Sequence, residues 1–251
     1  MNRLKSYGIG TFLLLFITIF LITTIHANGK EETLKQSYAE ELKEKKEMER
    51  QLTHLKQENK QLEEKNNYMK LSLNKMKKDE NGMGYAAWVR LDNKAETFVK
   101  KSEGRFKKAW ALYLVKEASR YDINPSLVYE LLHVETGGTF DPKLIGPETE
   151  YGRAYGMAQF MKNTAPWIAD MAGLPYEEEL LFDPYYSMQL SLVYLDFLKN
   201  KYDSWDKALT AYHRGMGGLA QFIEKNGHAG SWYAKEIQSE AETHQSFVAV
   251  E

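Results

Sequence analysis

The chain has 251 residues, with 33 Lys and Arg against 35 Asp and Glu, and no cysteine. Disulfides, thiolate metal sites and a cysteine nucleophile are therefore excluded, and a net charge of −2 offers no basic surface on which to expect nucleic acid. The length suits one domain with attachments.

Residues 1–30 form the first segment. Arg3 and Lys5 precede an uncharged run from Gly8 to Ile25, which at about 18 residues reaches the lower limit for a spanning helix. Three readings stand: an uncleaved signal anchor, a cleaved secretory signal, and a buried helix of a soluble fold. The anchor is preferred, because a secretory signal usually has a shorter apolar run and small residues before the cut, and Ile25 is not small. The two cations favour a cytoplasmic N-terminus and place the remainder outside the membrane; a cleaved signal would make the protein secreted.

Residues 31–78 are almost all Glu, Lys, Gln, Asn and Leu. Leu34, Tyr38, Glu41, Lys45, Met48, Leu52, Leu55, Asn59, Leu62, Asn66, Met69, Leu73 and Met76 step by alternating fours and threes, a heptad with Leu and Met at most d positions. Asn59 and Asn66 fall at a positions, where a buried Asn fixes register. The pattern predicts a parallel homodimeric coiled-coil stalk reaching roughly 70 Å at ~1.5 Å per residue. The alternative is a single solvated helix. Residues 79–84, with two glycines among polar neighbours, read as a linker.

From Tyr85 to 242 the texture is globular and helical, followed by a tail over 243–251. An amphipathic helix is expected from Phe106 to Tyr121. Asn124 caps the next one, with Pro125 at its first position and a stop at Gly137-Gly138. Asn163 or Thr164 caps a helix through Met171. Asp183-Pro184 starts a long apolar helix to about Lys201. Ser204 caps a helix ending near Gly215, a short helix follows from Gly218 to about Lys225, and Ser231 caps the last. Residues 139–160 have no helical period and are expected to form a loop or small hairpin over a cleft. The fold class is all-α, with at most a minor β-hairpin.

Glu135 ends the second of these helices. A carboxyl group in an apolar setting, at the negative end of a helix dipole, keeps its proton to higher pH, as the general acid of a glycosidic cleavage must. By position alone the commoner reading is a solvent-facing Glu at a helix end. After Glu135-Thr136 come Gly156-Met157-Ala158-Gln159 and Ala211-Tyr212-His213. In this order and spacing the segments resemble the soluble lytic transglycosylase (SLT) family, which carries Glu-Ser, Gly-Leu-Met-Gln and Ala-Tyr-Asn and has a goose-type-lysozyme-like fold. Phe140 and Pro142 resemble the family's segment after Glu-Ser, and Tyr233 resembles the late tyrosine bordering its cleft. The resemblance covers roughly residues 106–240.

The resemblance implies a peptidoglycan lytic transglycosylase that cuts the MurNAc-β-1,4-GlcNAc bond and leaves a 1,6-anhydro ring, with Glu135 as both acid and base. It implies substrate contacts from Thr136, Phe140, Gly156, Met157, Gln159, Tyr212, His213 and Tyr233. Gln159 offers an amide to an N-acetyl group, Tyr212 either offers a hydroxyl to the Glu135 carboxylate or is a half-buried core tyrosine, and Phe140, Tyr155, Met157 and Tyr233 offer groove walls. Three positions depart from the pattern: Thr136 stands for Ser, Ala158 for Met and His213 for Asn. No cofactor or metal is expected. A muramidase-type hydrolase is the alternative; it needs a partner carboxylate about 5–5.5 Å away (retaining) or about 6.5–9.5 Å away (inverting), and Asp141, Glu148 and Glu150 are the local candidates. A non-catalytic peptidoglycan-binding scaffold is the other.

Overall fold

The computed structural model describes residues 5–76 and 84–246, with side chains for residue 30, 35–71 and 84–244. The chain divides into two compact units, Met1–Glu64 and Lys65–Glu251.

The first unit lies within α1, a helix over Lys5–Met76. The segments read from the sequence as anchor and stalk are thus parts of one helix. Among the described residues no helix is long and apolar enough to cross a membrane; the side chains of the run 8–25, on which the anchor rests, lie outside them. In the stalk, Tyr38, Met48, Leu52, Leu55 and Leu62 are all exposed, so the heptad line is uncovered in the single chain. The linker 79–84 lies almost wholly outside the described residues.

The second unit is helical: α2 Tyr85–Lys101, α3 Lys108–Arg120, α4 Pro125–Glu135, α5 Ala165–Met171, α6 Pro184–Tyr202, α7 Trp205–Asn226 and α8 Trp232–Ser246. A 3-10 turn over Glu178–Phe182 precedes α6. The last turns of α1 also belong here, with Tyr68 buried edge-on against Phe197 and Lys65 paired with Asp170. The helix α2 carries no strong start signal and was not anticipated individually. It buries Leu91, Ala95 and Phe98.

Local chemistry explains most helix starts. The Asn124 side chain accepts from Ser126 N (3.0 Å) with Pro125 at the first position of α4. Asp183 accepts from Tyr186 N (2.9 Å) ahead of Pro184. Ser204 and Ser231 cap α7 and α8 in the same way, whereas the Thr164 hydroxyl makes no such bond to α5. Two helices are apolar nearly all round and form the core: α4 buries every residue from Ser126 to Leu132, and α6 every residue from Leu190 to Leu198. Around them, α4 packs against α3 and α8, and α6 against α3, α5 and α7.

Residues 139–160 contain the expected hairpin. Strand β1 (Ala154–Tyr155) pairs antiparallel with β2 (Phe160–Met161), and Ile145 bridges to Tyr155. The expected tail at 243 needs correction: α8 continues to Ser246 and buries His244. The reason is tertiary. His244 Nε2 bonds the buried Glu130 carboxylate of α4, which tethers a stretch that looks polar in sequence.

Candidate active site

Glu135 is the last residue of α4, and Thr136 follows as the C-cap. The α4 carbonyls point toward this end, which gives it negative dipole character. The Glu135 carboxyl group is mostly enclosed, and burial raises its pKa from 4.5 to about 7, against the opposing hydrogen bond from Tyr233. The Tyr233 hydroxyl donates to Glu135 Oε1 at 2.5 Å. Among the described residues no second hydrogen-bond partner reaches the carboxylate, and no neighbouring carboxylate contributes to the rise in its pKa.

Tyr233 lies on the first turn of α8 and is fully buried. Burial and the adjacent Glu135 push its hydroxyl well above the usual phenol range, so it serves as a donor throughout the working pH range. Its ring lies flat against His213, with centroids 4.6 Å apart and planes 6° apart. The exposed His213 sits on α7 two residues before Gly215, where φ 73 and ψ 163 break the helix. Although the residue as a whole is exposed, desolvation of its ring against Tyr233 and Trp232, together with Arg214, lowers the His213 pKa, which keeps the ring neutral near pH 7.

Of the two expectations for Tyr212, the half-buried core tyrosine is the one found. Its hydroxyl donates to Ala158 O at 3.0 Å and lies 3.4 Å from Ser191 Oγ. It ties α7 to the hairpin turn, and the carboxylate is held by Tyr233 instead. Glu135 still contributes, after burial, to raising the Tyr212 pKa, so the two groups share one environment.

Four other residues expected at the substrate are engaged within the fold. The Thr136 hydroxyl donates to Leu132 O (2.7 Å) and accepts from Phe140 N (3.0 Å), so it folds the chain back after α4. Phe140, at 1% exposure, is not a groove wall; it packs among Phe106, Tyr129 and His133. Met157 is likewise fully buried. Gly156 is required by packing: its φ is +75, and a Cβ there would lie 1.8 Å from Leu181 O. Gln159 spends its amide N–H groups on Gly156 O (2.7 Å) and Leu144 O (3.3 Å), which leaves its carbonyl oxygen as the group available to a ligand.

The candidate second carboxylates are engaged elsewhere. Asp141 Oδ1 accepts from Lys143 N at 2.9 Å, and Glu148 pairs with Arg153 at 2.6 Å. Glu150 is exposed beside Tyr151. Among the described residues no cluster of three or more His, Asp or Glu side chains is arranged to hold a metal ion. One residue of this corner was missed in the sequence. Trp232, on the first turn of α8, is exposed beside His213 and Tyr233.

Among solved structures, the chain is similar to the lytic transglycosylase Slt from Pseudomonas aeruginosa, solved as an inactive mutant. The identity is 20% and the TM-score 0.48, over 59% of this chain and 25% of that one. The chain thus spans about a quarter of that protein's length. No curated protein sequence matches it. Residues 113–235 match the transglycosylase SLT domain family model, and that stretch includes Glu135, the hairpin, Tyr212 and Tyr233. The helical domain of this chain belongs to the transglycosylase SLT family.

Proposed function

We propose that this domain is a peptidoglycan lytic transglycosylase in which Glu135 is the sole acid and base. The observation that carries the reading is the Glu135 carboxyl itself, with a pKa raised to about 7 by burial and held by one tyrosine hydroxyl. Near neutral pH a large fraction of it is protonated, as a general acid requires. In the proposed first step Glu135 donates its proton to the glycosidic oxygen of the leaving N-acetylglucosamine, and the C1–O bond of the muramic residue breaks. The resulting carboxylate then takes the proton from the C6 hydroxyl, and O6 closes on C1. The products are a 1,6-anhydro ring and Glu135 protonated again, with no water consumed. Supporting a single carboxylate is the finding that burial alone raises Glu135, since a neighbouring acid at hydrolase spacing would add its own repulsion.

The test is release of soluble fragments from purified peptidoglycan by the full chain in mild detergent. Steady release supports the reading. Sedimentation with the wall and no release contradicts it and leaves a binding scaffold.

The location is part of the proposal. The run Gly8–Ile25 is read as an anchor, with Arg3 and Lys5 on the cytoplasmic side. The stalk is read as pairing with a second copy of the chain, because Met48, Leu52, Leu55 and Leu62 form a heptad line left exposed. Sedimentation equilibrium of the full chain in detergent is expected to give a dimer at low micromolar concentration. A monomer there contradicts the pairing.

A further inference from the structure

Trp232 opens α8 and is 57% exposed, whereas its neighbour Tyr233 is 1% exposed. A tryptophan left this open forgoes most of the burial that ordinarily accounts for the residue. It is nonetheless held in place. Its ring stands nearly perpendicular to His213, at 5.7 Å and 77°, and to Tyr233, at 5.8 Å and 82°. Because those two rings are parallel to each other, one orientation of the indole satisfies both contacts. Edge-on geometry leaves at least one indole face clear of both partners.

This open face lies beside the chemistry. Trp232 touches Tyr233, and the Tyr233 hydroxyl donates to Glu135. The exposed His213 covers the Tyr233 face, so Trp232 and His213 together form the solvent-facing surface over the residue that holds the catalytic carboxyl. Two structural devices fix them there: the break in α7 at Gly215, and the Ser231 cap, whose Oγ accepts from Ala234 N at 3.2 Å and lies 2.8 Å from Thr210 Oγ1.

We infer that Trp232 is a sugar-stacking residue, its indole receiving the apolar face of an N-acetylhexosamine ring of the glycan strand next to the cleavage point. In a β-1,4-linked sugar the ring substituents are equatorial, so the two faces present axial C–H groups. These carry partial positive charge and match the negative face of an aromatic ring, while the contact removes apolar surface from water. His213 is the positioning residue that keeps the indole upright. The inference rests on the glycan reading above, but it concerns binding and holds independently of turnover.

The test measures affinity for soluble, uncross-linked glycan strands by calorimetry, using the full chain in detergent with Glu135→Gln to prevent cleavage. Adding Trp232→Ala is expected to weaken binding roughly fivefold to tenfold. Adding Trp232→Tyr, which keeps an aromatic face, is expected to restore affinity to within about threefold of the parent. Unchanged affinity in Trp232→Ala overturns the inference, and so does an equal loss in both variants, which would mark Trp232 as a structural support. A parent that binds strands while the wild type releases no fragments defeats the proposed function alone. A parent that binds no strands defeats both.

Discussion

Glu135→Gln is expected to abolish fragment release from peptidoglycan and, at the same time, to stabilise the domain above neutral pH. The activity loss follows from chemistry: an amide keeps the shape and can still accept from Tyr233, but it has no proton to deliver to the glycosidic oxygen. The stability gain follows from linkage. The folded-state pKa of Glu135 is raised from 4.5 to about 7. A raised folded pKa contributes stability that is full below the unfolded value and lost as pH rises through the folded one. Wild type therefore loses stability relative to the Gln variant between about pH 4.5 and pH 7, with the difference level above that window. The gap at pH 8 is expected to be on the order of 2 kcal/mol, after allowance for the partial solvent access of the group. Melting curves of both proteins across this range provide the check. A Gln variant that is less stable at pH 8, or one that still releases fragments, contradicts the role given to Glu135. The same titration predicts that wild-type activity falls as pH rises through about 7, because the acid step needs the protonated carboxyl.

Glu130→Ala is expected to be the most damaging change away from the reacting atoms. Glu130 is 1% exposed. Its carboxylate receives Lys101 Nζ of α2 at 2.9 Å and is bonded to His244 Nε2 of α8, and Glu240 reaches the same lysine at 3.2 Å. Burial alone would raise its pKa, but the bonds from His244 and Lys101 outweigh burial and hold it below the ordinary value. Truncation leaves the His244 ring, packed edge-on against Phe98 and Tyr129, without its carboxylate, and leaves Lys101 with Glu240 and His244 as partners. Breaking a buried pair in this way costs about 3 kcal/mol or more. The change also loosens α8 against α4, and α8 carries Tyr233 to Glu135, so activity is expected to fall along with stability. Urea unfolding measures the first effect, and amide exchange along α8 locates it. A variant within ~0.5 kcal/mol of wild type would show that the cluster is dispensable. The depressed pKa also gives a sign for wild type: the stabilisation is present above the ordinary Glu range and is lost as pH falls through the lower folded value.

These two carboxylates show what was legible in the sequence. Glu135 could be found because local signals frame it: an Asn124-Pro125 start, a buried helix, a glycine stop, and two further motifs in the right order. The starts of α6, α7 and α8 were legible for the same reason, since Asp183, Ser204 and Ser231 each satisfy a nearby backbone N–H. What escaped depended on distant residues. Tyr233 and Glu135 are 98 positions apart, and nothing local marks Tyr233 rather than Tyr212 as the partner of the acid. The polar end of α8 read as a tail because its tether, Glu130, is 114 positions away. Phe140 and Met157 looked like groove walls because an aromatic or Met after a glycine turn is equally suited to surface or core; only packing against Phe106 and Tyr129 assigns Phe140 to the core. Trp232 drew no reading at all, because nothing local in the sequence tells whether the aromatic that opens α8 faces the core or solvent.

The most direct test of a single catalytic carboxylate is to digest peptidoglycan with the wild-type chain in water enriched in oxygen-18 and to weigh the released fragments by mass spectrometry. With Glu135 as both acid and base, O6 of the muramic residue closes the ring, so the new ends are 1,6-anhydro and carry no solvent oxygen. Reducing ends carrying one heavy oxygen per cut would mean that water is the nucleophile and that a second catalytic group exists.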